Sequence, residues 1–267
     1  MRLVTFTHGG SKAEAGVIRD DKVIGLGTDM ISICASGRVP EASGTAHDLS
    51  SVKVLAPIPR PAKVICVGLN YRDHAAESRS EIPTVPTIFN KFPNVVIGPG
   101  EPIVLPKASR KPDYEAEFTF VIGRGGRNIP AERAMDHVFG YTIINDVSAR
   151  DFQTATTQWL MGKTFDTFCP MGPWITTADE LDGRATRVRG WVNGELRQDA
   201  PTKDMIFDIP TLIETCSRGI TLFPGDVIAT GTMAGVGMGF KPPKWLGAGD
   251  VVRIEIDGIG AIENRFE

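Results

Sequence analysis

The apolar residues of this chain come in short runs broken by glycine and proline, and no long helical stretches separate them. Beyond residue 62, runs of strand length cover Lys63–Leu69, Ile103–Leu105, Glu115–Ile122, Val138–Ile144, Trp174–Thr176, Arg187–Val192, Asp226–Thr230 and Val251–Ile256. Helical patterns are confined to Tyr71–Ser78, Ala131–Asp136 and Phe207–Cys216, the last entered through Asp208-Ile-Pro210, which suits a helix start. A doubly wound sheet or a TIM barrel needs strands alternating with long helices, so the pattern argues against both. No repeat of about 20–50 residues is present to build a solenoid or propeller. With 29 glycines and 19 prolines to supply turns, the spacing predicts a mainly β (α+β) body with few short helices.

The segment Ala56-Pro-Ile-Pro-Arg-Pro61 divides the chain, its prolines making an extended connector. A small β-rich domain is predicted over 1–57. There Arg2–Thr7 alternates, Ala15–Leu26 reads as a hairpin turning at Asp20-Asp21, Met30–Ala35 fits helix or strand, and Gly37–Leu49 is loop-like. The main domain is predicted over 62–267. A net charge of −3, a pI of 5.9 and scattered basic residues exclude a nucleic-acid footprint. The four cysteines lie far apart with no Cys-x-x-Cys, so neither a zinc ribbon nor a redox pair is indicated, and reduced thiols are expected. The first residues lack the apolar stretch of a signal peptide, and no apolar run reaches about 18 residues. A cytoplasmic protein with no membrane partner is expected.

Chemistry-bearing residues cluster in four places. Asp113–Ile122 alternates, with Ala116, Phe118, Phe120 and Ile122 on one face and Glu115 and Glu117 on the other, roughly 7 Å apart along the strand. Two such carboxylates repel, and a cation between them removes the penalty. With Asp146, from the run Tyr141–Asp151, they offer three hard oxygen donors that suit Mg²⁺, Mn²⁺ or Ca²⁺ and give Zn²⁺ no thiolate or imidazole. Taken alone, Glu-x-Glu also fits a solvated acidic face. If Tyr71–Ser78 is helical, His74 and Glu77 share a face. A carboxylate beside an imidazole orients the ring and raises its basicity, as a water-activating base requires, although an exposed helical turn carries such pairs incidentally. Proline-punctuated Arg79–Pro86 completes a lid-like segment, Arg72–Val85. Arg150, Gln153 and Lys163 follow Asp146, and a guanidinium and an ammonium beside a divalent metal would hold a carboxylate substrate and a developing enolate. Thr230–Gly239 lacks the Gly-Lys-Ser/Thr ending of a phosphate loop. Its amides and Thr232 could grip a carboxylate, or the segment is a flexible structural loop.

As a set, the motifs Gly68-Leu-Asn-Tyr-Arg-Asp-His74, Asp113-Tyr-Glu-Ala-Glu117, Asn145–Asp151, Gly162-Lys-Thr-Phe-Asp166, Phe223-Pro-Gly-Asp226 and Thr230-Gly-Thr232 resemble the fumarylacetoacetate hydrolase family. Within it they are most similar to the domain-containing protein 2 branch and its bacterial relatives. The resemblance covers residues 60–267, with Met233 standing where many relatives carry proline. It implies a mixed β-sandwich roll and a homodimer. It also implies Glu115, Glu117 and Asp146 as ligands of Mg²⁺ or Mn²⁺, and His74, Glu77 and Lys163 as catalytic residues. Arg150, Gln153, Thr232 and Lys91 are implied as contacts to a small 2-oxo acid substrate. The implied reaction is hydrolysis of the C3–C4 bond of a 2,4-dioxo acid, of acylpyruvate or fumarylpyruvate type, through a metal-stabilised enolate, as in aromatic catabolism. Oxaloacetate decarboxylation and isomerisation or hydration of dienoate diacids use related chelates and stand as alternatives. The substrate's far end, facing Asn90, Lys91 and the lid, decides among them. A scaffold holding a structural ion is a third reading, but such an ion needs neither the dyad nor Lys163. The acidic pI excludes a carboxylate-dependent nuclease.

Overall fold

Two antiparallel-rich sheets stack face to face in a computed structural model that describes residues 1–267. The larger sheet runs, edge to edge, through Ala46–Asp48, Lys22–Gly25, Glu14–Arg19, Arg2–Thr7, Cys169–Thr177, Val138–Asn145, Ala116–Ile122, Val227–Ala229, Val64–Gly68 and Thr87–Lys91. The smaller sheet is ordered Glu195–Pro201, Arg187–Val192, Val251–Ile256, Gly260–Arg265. Between them lies the main core, where Ala116, Phe118 and Phe120 of the first sheet meet Val188, Val252 and Ile254 of the second. Val121, one step out of that alternation, enters a second core on the opposite face with Val64, Cys66 and Ile175. Both faces of Ala116–Ile122 are therefore buried, which removes the alternative of a solvated acidic face.

The β-rich body with few short helices is as expected, and several boundaries differ for physical reasons. Asp20 and Asp21, both at positive φ, make the predicted hairpin turn between Glu14–Arg19 and Lys22–Gly25. Met30–Ser36 resolves as helix, because Asp29 accepts from the Ser32 amide and Gly37 closes the end at positive φ. The predicted helix start at Asp208-Ile-Pro210 holds, with Asp208 capping Ile209–Ser217. The N-terminal strands extend the main sheet, with Arg2 opposite Thr176 and Leu3 opposite Ile175. Ala56 and Ile58 of the proline segment are packed into the second core. Ile103–Leu105 is not a strand of a sheet; it makes an isolated bridge to the chain end at Phe266. Thr87–Lys91, Glu195–Pro201 and Gly260–Arg265 are additional strands whose polar residues hide them from an apolar-run criterion. No helix is long and apolar enough to cross a membrane.

Candidate active site

Sheet register assembles the acidic cluster. Glu117 lies on Ala116–Ile122, and Glu115 immediately precedes that strand. Ala116 pairs with Asn145, so the residue after Asn145 emerges beside Glu115, and the Asp146 amide donates to the Glu115 carbonyl at 3.0 Å. One carboxylate oxygen from each of Glu115, Glu117 and Asp146 falls within 4.8 Å of the others, and all three residues are buried. Buried cations answer them. Lys163 Nζ donates to Glu115 at 2.7 Å and to Asp146 at 2.8 Å. Arg150 Nη1 donates to Glu115 at 2.6 Å. Lys91 donates to Asp146 and, at 3.0 Å, to the Val147 carbonyl.

These neighbours divide the carboxylates. Burial alone would raise Glu115, but Lys163 and Arg150 outweigh it and hold that carboxyl well below the usual range. Burial also raises Glu117, where the Asp146 and Glu115 charges add to the effect and push it well above the usual range. Glu117 Oε2 accepts from the Gly231 amide at 2.9 Å, whereas Oε1 is buried without a partner. An orphaned carboxylate oxygen facing two further carboxylates, with an all-oxygen donor set, fits a hard divalent cation.

Beside the cluster opens a cavity of about 240 Å³ lined by His74, Glu115, Arg150, Gln153, Lys163 and Thr232, with Phe89, Trp159 and Met238 as apolar walls. His74 sits on the helix Arg72–Glu77, and its Nδ1 lies 3.4 Å from Glu77 Oε2, a long contact. Glu77 Oε1 accepts from the Gly235 amide at 3.0 Å. Gln153 Oε1 accepts from Arg150 Nη1 at 2.9 Å, so this glutamine braces the guanidinium. Arg150 Nε donates to Asp113 at 2.8 Å, and Nη2 is buried with no partner. Beyond the helix, Ser78 and Ser80 line the cavity while Ile82 and Val85 are exposed.

One expected contact lies elsewhere. Lys91, read from the sequence as a substrate contact, does not line this cavity; its buried ammonium is held by Asp146, and with Asn90 it borders a separate groove. The glycine-rich segment leaves the amides of Thr232, Met233, Ala234 and Val236 without a partner in the protein and spends others on the protein's own carboxylates. The amides of Gly231 and Gly235 serve Glu117 and Glu77, and those of Gly237 and Met238 serve Asp113. Thr232 reaches the cavity, but its proton goes to the Ala116 carbonyl at 3.0 Å while Gln198 donates to its oxygen at 2.7 Å. Sequence reasoning missed the aromatic walls Phe89 and Trp159, which carry no motif of their own. It also passed over Asp113, which lay inside a quoted motif.

Comparison with known proteins agrees with this architecture. Residues 63–267 match the family model described as fumarylacetoacetate (FAA) hydrolase C-terminal, and residues 1–57 match one described as Rv2993c-like, N-terminal. The chain is 52% identical to the mitochondrial oxaloacetate tautomerase fahd2 of Xenopus laevis over 80% of its own length and 68% of the relative's. It is 49% identical to the oxaloacetate tautomerase YisK of Bacillus subtilis over 85% and 77% of the respective lengths. Among solved structures, the fumarylacetoacetate hydrolase of Exiguobacterium antarcticum superposes with a TM-score of 0.91 at 41% identity, covering 100% of this chain and 99% of that one. A maleylpyruvate hydrolase from Sphingobium, solved with manganese(II) and pyruvate, gives 0.82 at 32% identity, covering 100% and 98%. The chain belongs to the fumarylacetoacetate hydrolase family, whose similar members named here are enzymes.

Proposed function

We propose that this protein is a divalent-cation-dependent enzyme that interconverts the enol and keto forms of a small 2-oxo diacid, oxaloacetate. The observation that carries the reading is Arg150, which lines the cavity with His74 and Glu115 and whose Nη2 is buried with no protein partner. A burial of that kind is costly unless a ligand oxygen completes it, and a carboxylate fits best. Glu115, Glu117 and Asp146 would hold Mg²⁺ or Mn²⁺. When bound there, the cation supplies a Lewis acid that favours the enolate form of a 2-oxo group.

The side chains supply the remainder. Lys163 has three N–H groups and spends two on Glu115 and Asp146, leaving one for a substrate oxygen. Arg150, braced by Gln153 and Asp113, orients a carboxylate. His74 presents Nδ1 to Glu77 and has no protein partner on Nε2, which suits it to give or take the proton at C3. Ketonisation releases one proton from the 2-hydroxyl and adds one at C3, so no water or co-substrate is consumed.

A second reading is hydrolysis of a 2,4-dioxo acid, with His74 acting on water instead of on C3. The His74–Glu77 pair supports it, as does the likeness to maleylpyruvate hydrolase. The higher identity to proteins named oxaloacetate tautomerase gives weight to the first. Both readings carry a homodimer, as the family resemblance implies. The test is to follow enol decay of freshly dissolved oxaloacetate by ultraviolet absorbance, with pyruvate release and acylpyruvate cleavage measured in parallel, with Mn²⁺ and with chelator. Chelator-sensitive acceleration of enol decay without pyruvate release supports tautomerisation. Cleavage of an acylpyruvate as the faster reaction would replace it by the hydrolase reading, and pyruvate release from oxaloacetate by decarboxylation.

A further inference from the structure

Asp113 is fully buried, lies outside the cavity lining, and so far enters only as a brace of Arg150. Its carboxylate nevertheless accepts four hydrogen bonds. Oδ1 accepts from the amides of Tyr114 at 2.9 Å and Gly237 at 2.7 Å. Oδ2 accepts from Arg150 Nε at 2.8 Å and from the Met238 amide at 3.0 Å. One oxygen thus joins the substrate-facing guanidinium to the glycine-rich loop.

The same loop holds the other half of the site. Gly235 donates to Glu77 Oε1 at 3.0 Å, and a Cβ added at Gly239 would fall 2.1 Å from that oxygen, so the loop backbone is the wall against which Glu77 rests. Tyr114, next to Asp113, ties the loop a second time by donating its hydroxyl to the Gly235 carbonyl at 2.6 Å. A continuous path runs from His74 through Glu77, the loop and Asp113 to Arg150.

We infer that Asp113 is a positioning residue that fixes the glycine-rich loop and Arg150 in one frame, so that the His74–Glu77 pair and the substrate-binding guanidinium face each other at a set distance. This rests on the reading of His74 and Glu77 as the proton-transferring pair. Misplacing reacting groups by about an ångström costs roughly 10²-fold in rate, so the connection is worth a measurable amount although Asp113 touches no substrate.

The test is a double-mutant cycle between Asp113→Asn and Glu77→Gln, with amide hydrogen exchange measured on the metal-free protein. Asn keeps the size of the side chain and replaces one acceptor oxygen by a donor. Asp113→Asn is expected to lower kcat by roughly 10²-fold, to raise KM through Arg150, and to speed exchange at Gly235, Gly237 and Met238. It should leave exchange in Ala116–Ile122 unchanged. In the Glu77→Gln background its effect on kcat should shrink to less than about threefold, because coupled residues do not add. Losses that multiply, or exchange that changes at Gly237 and Met238 and not at Gly235, would overturn the inference. If Glu77→Gln alone leaves turnover intact, the proton-transfer reading fails, and the exchange data still decide whether Asp113 fixes the loop. Should Asp113→Asn not fold, Tyr114→Phe unties the same loop at Gly235. It is expected to lower kcat without raising KM and to speed exchange at Gly235, and wild-type values for both would refute the role.

Discussion

Arg150→Lys keeps a positive charge in the site and removes the fork that carries it. In the native protein one guanidinium reaches Asp113 through Nε at 2.8 Å, and Glu115 and Gln153 through Nη1 at 2.6 and 2.9 Å, while Nη2 is left over. An ammonium concentrates its three donors on one atom and cannot span Asp113, Glu115 and a third carboxylate together. It is expected to settle on the buried protein carboxylates, since an unpaired buried charge is the costliest outcome. Asp113 keeps its three backbone donors whichever way the lysine turns, so the variant should fold. The substrate then loses one charge-assisted hydrogen bond of about 1.5–3 kcal/mol, which at about 1.4 kcal/mol per decade is roughly a 10- to 150-fold rise in KM. Steady-state kinetics on oxaloacetate, with thermal unfolding as a check on folding, measure this directly. A folded variant whose KM stays within about twofold of wild type would mean that Nη2 meets no substrate oxygen, and the reading of the cavity as a carboxylate site would fall.

Alanine at Glu115, Glu117 or Asp146 should each abolish divalent-cation binding by calorimetric titration while leaving a folded protein; unchanged affinity in all three would dismiss the triad as the cation site. His74→Ala should lower turnover by roughly 10²–10⁴-fold, the usual span for losing an acid–base group, with little change in oxalate affinity, and an unchanged rate would remove His74 from the chemistry. The segment Arg72–Val85 should exchange its amides more slowly when oxalate and Mn²⁺ are bound, because closure shields the cavity from water; equal exchange rates would count against a lid.

What was legible in the sequence was local, and what was hidden depends on contacts between distant residues. The alternation that places Ala116, Phe118 and Phe120 against Glu115 and Glu117 has a period of two and can be read directly. That Asp146 joins those glutamates follows from the pairing of Ala116 with Asn145, which no local periodicity encodes; the family motif carried that inference. Lys91 was misplaced because its strand was missed. Thr-Ile-Phe-Asn-Lys lies on a sheet edge with alternating half-exposed and exposed residues, too polar to register as an apolar run, and only the strand direction turns its last ammonium inward to Asp146. The glycine-rich loop is legible only in part. Its composition correctly signals free amide donors, but composition is silent on the acceptors, which turn out to be Glu77, Asp113 and Glu117, each more than 100 residues away in the chain. Four of the loop's amides are taken by the protein's own carboxylates. That leaves ligand recognition to the donors the fold does not consume, among them the Nη2 of Arg150, the third N–H of Lys163 and the Thr232 amide at the cavity.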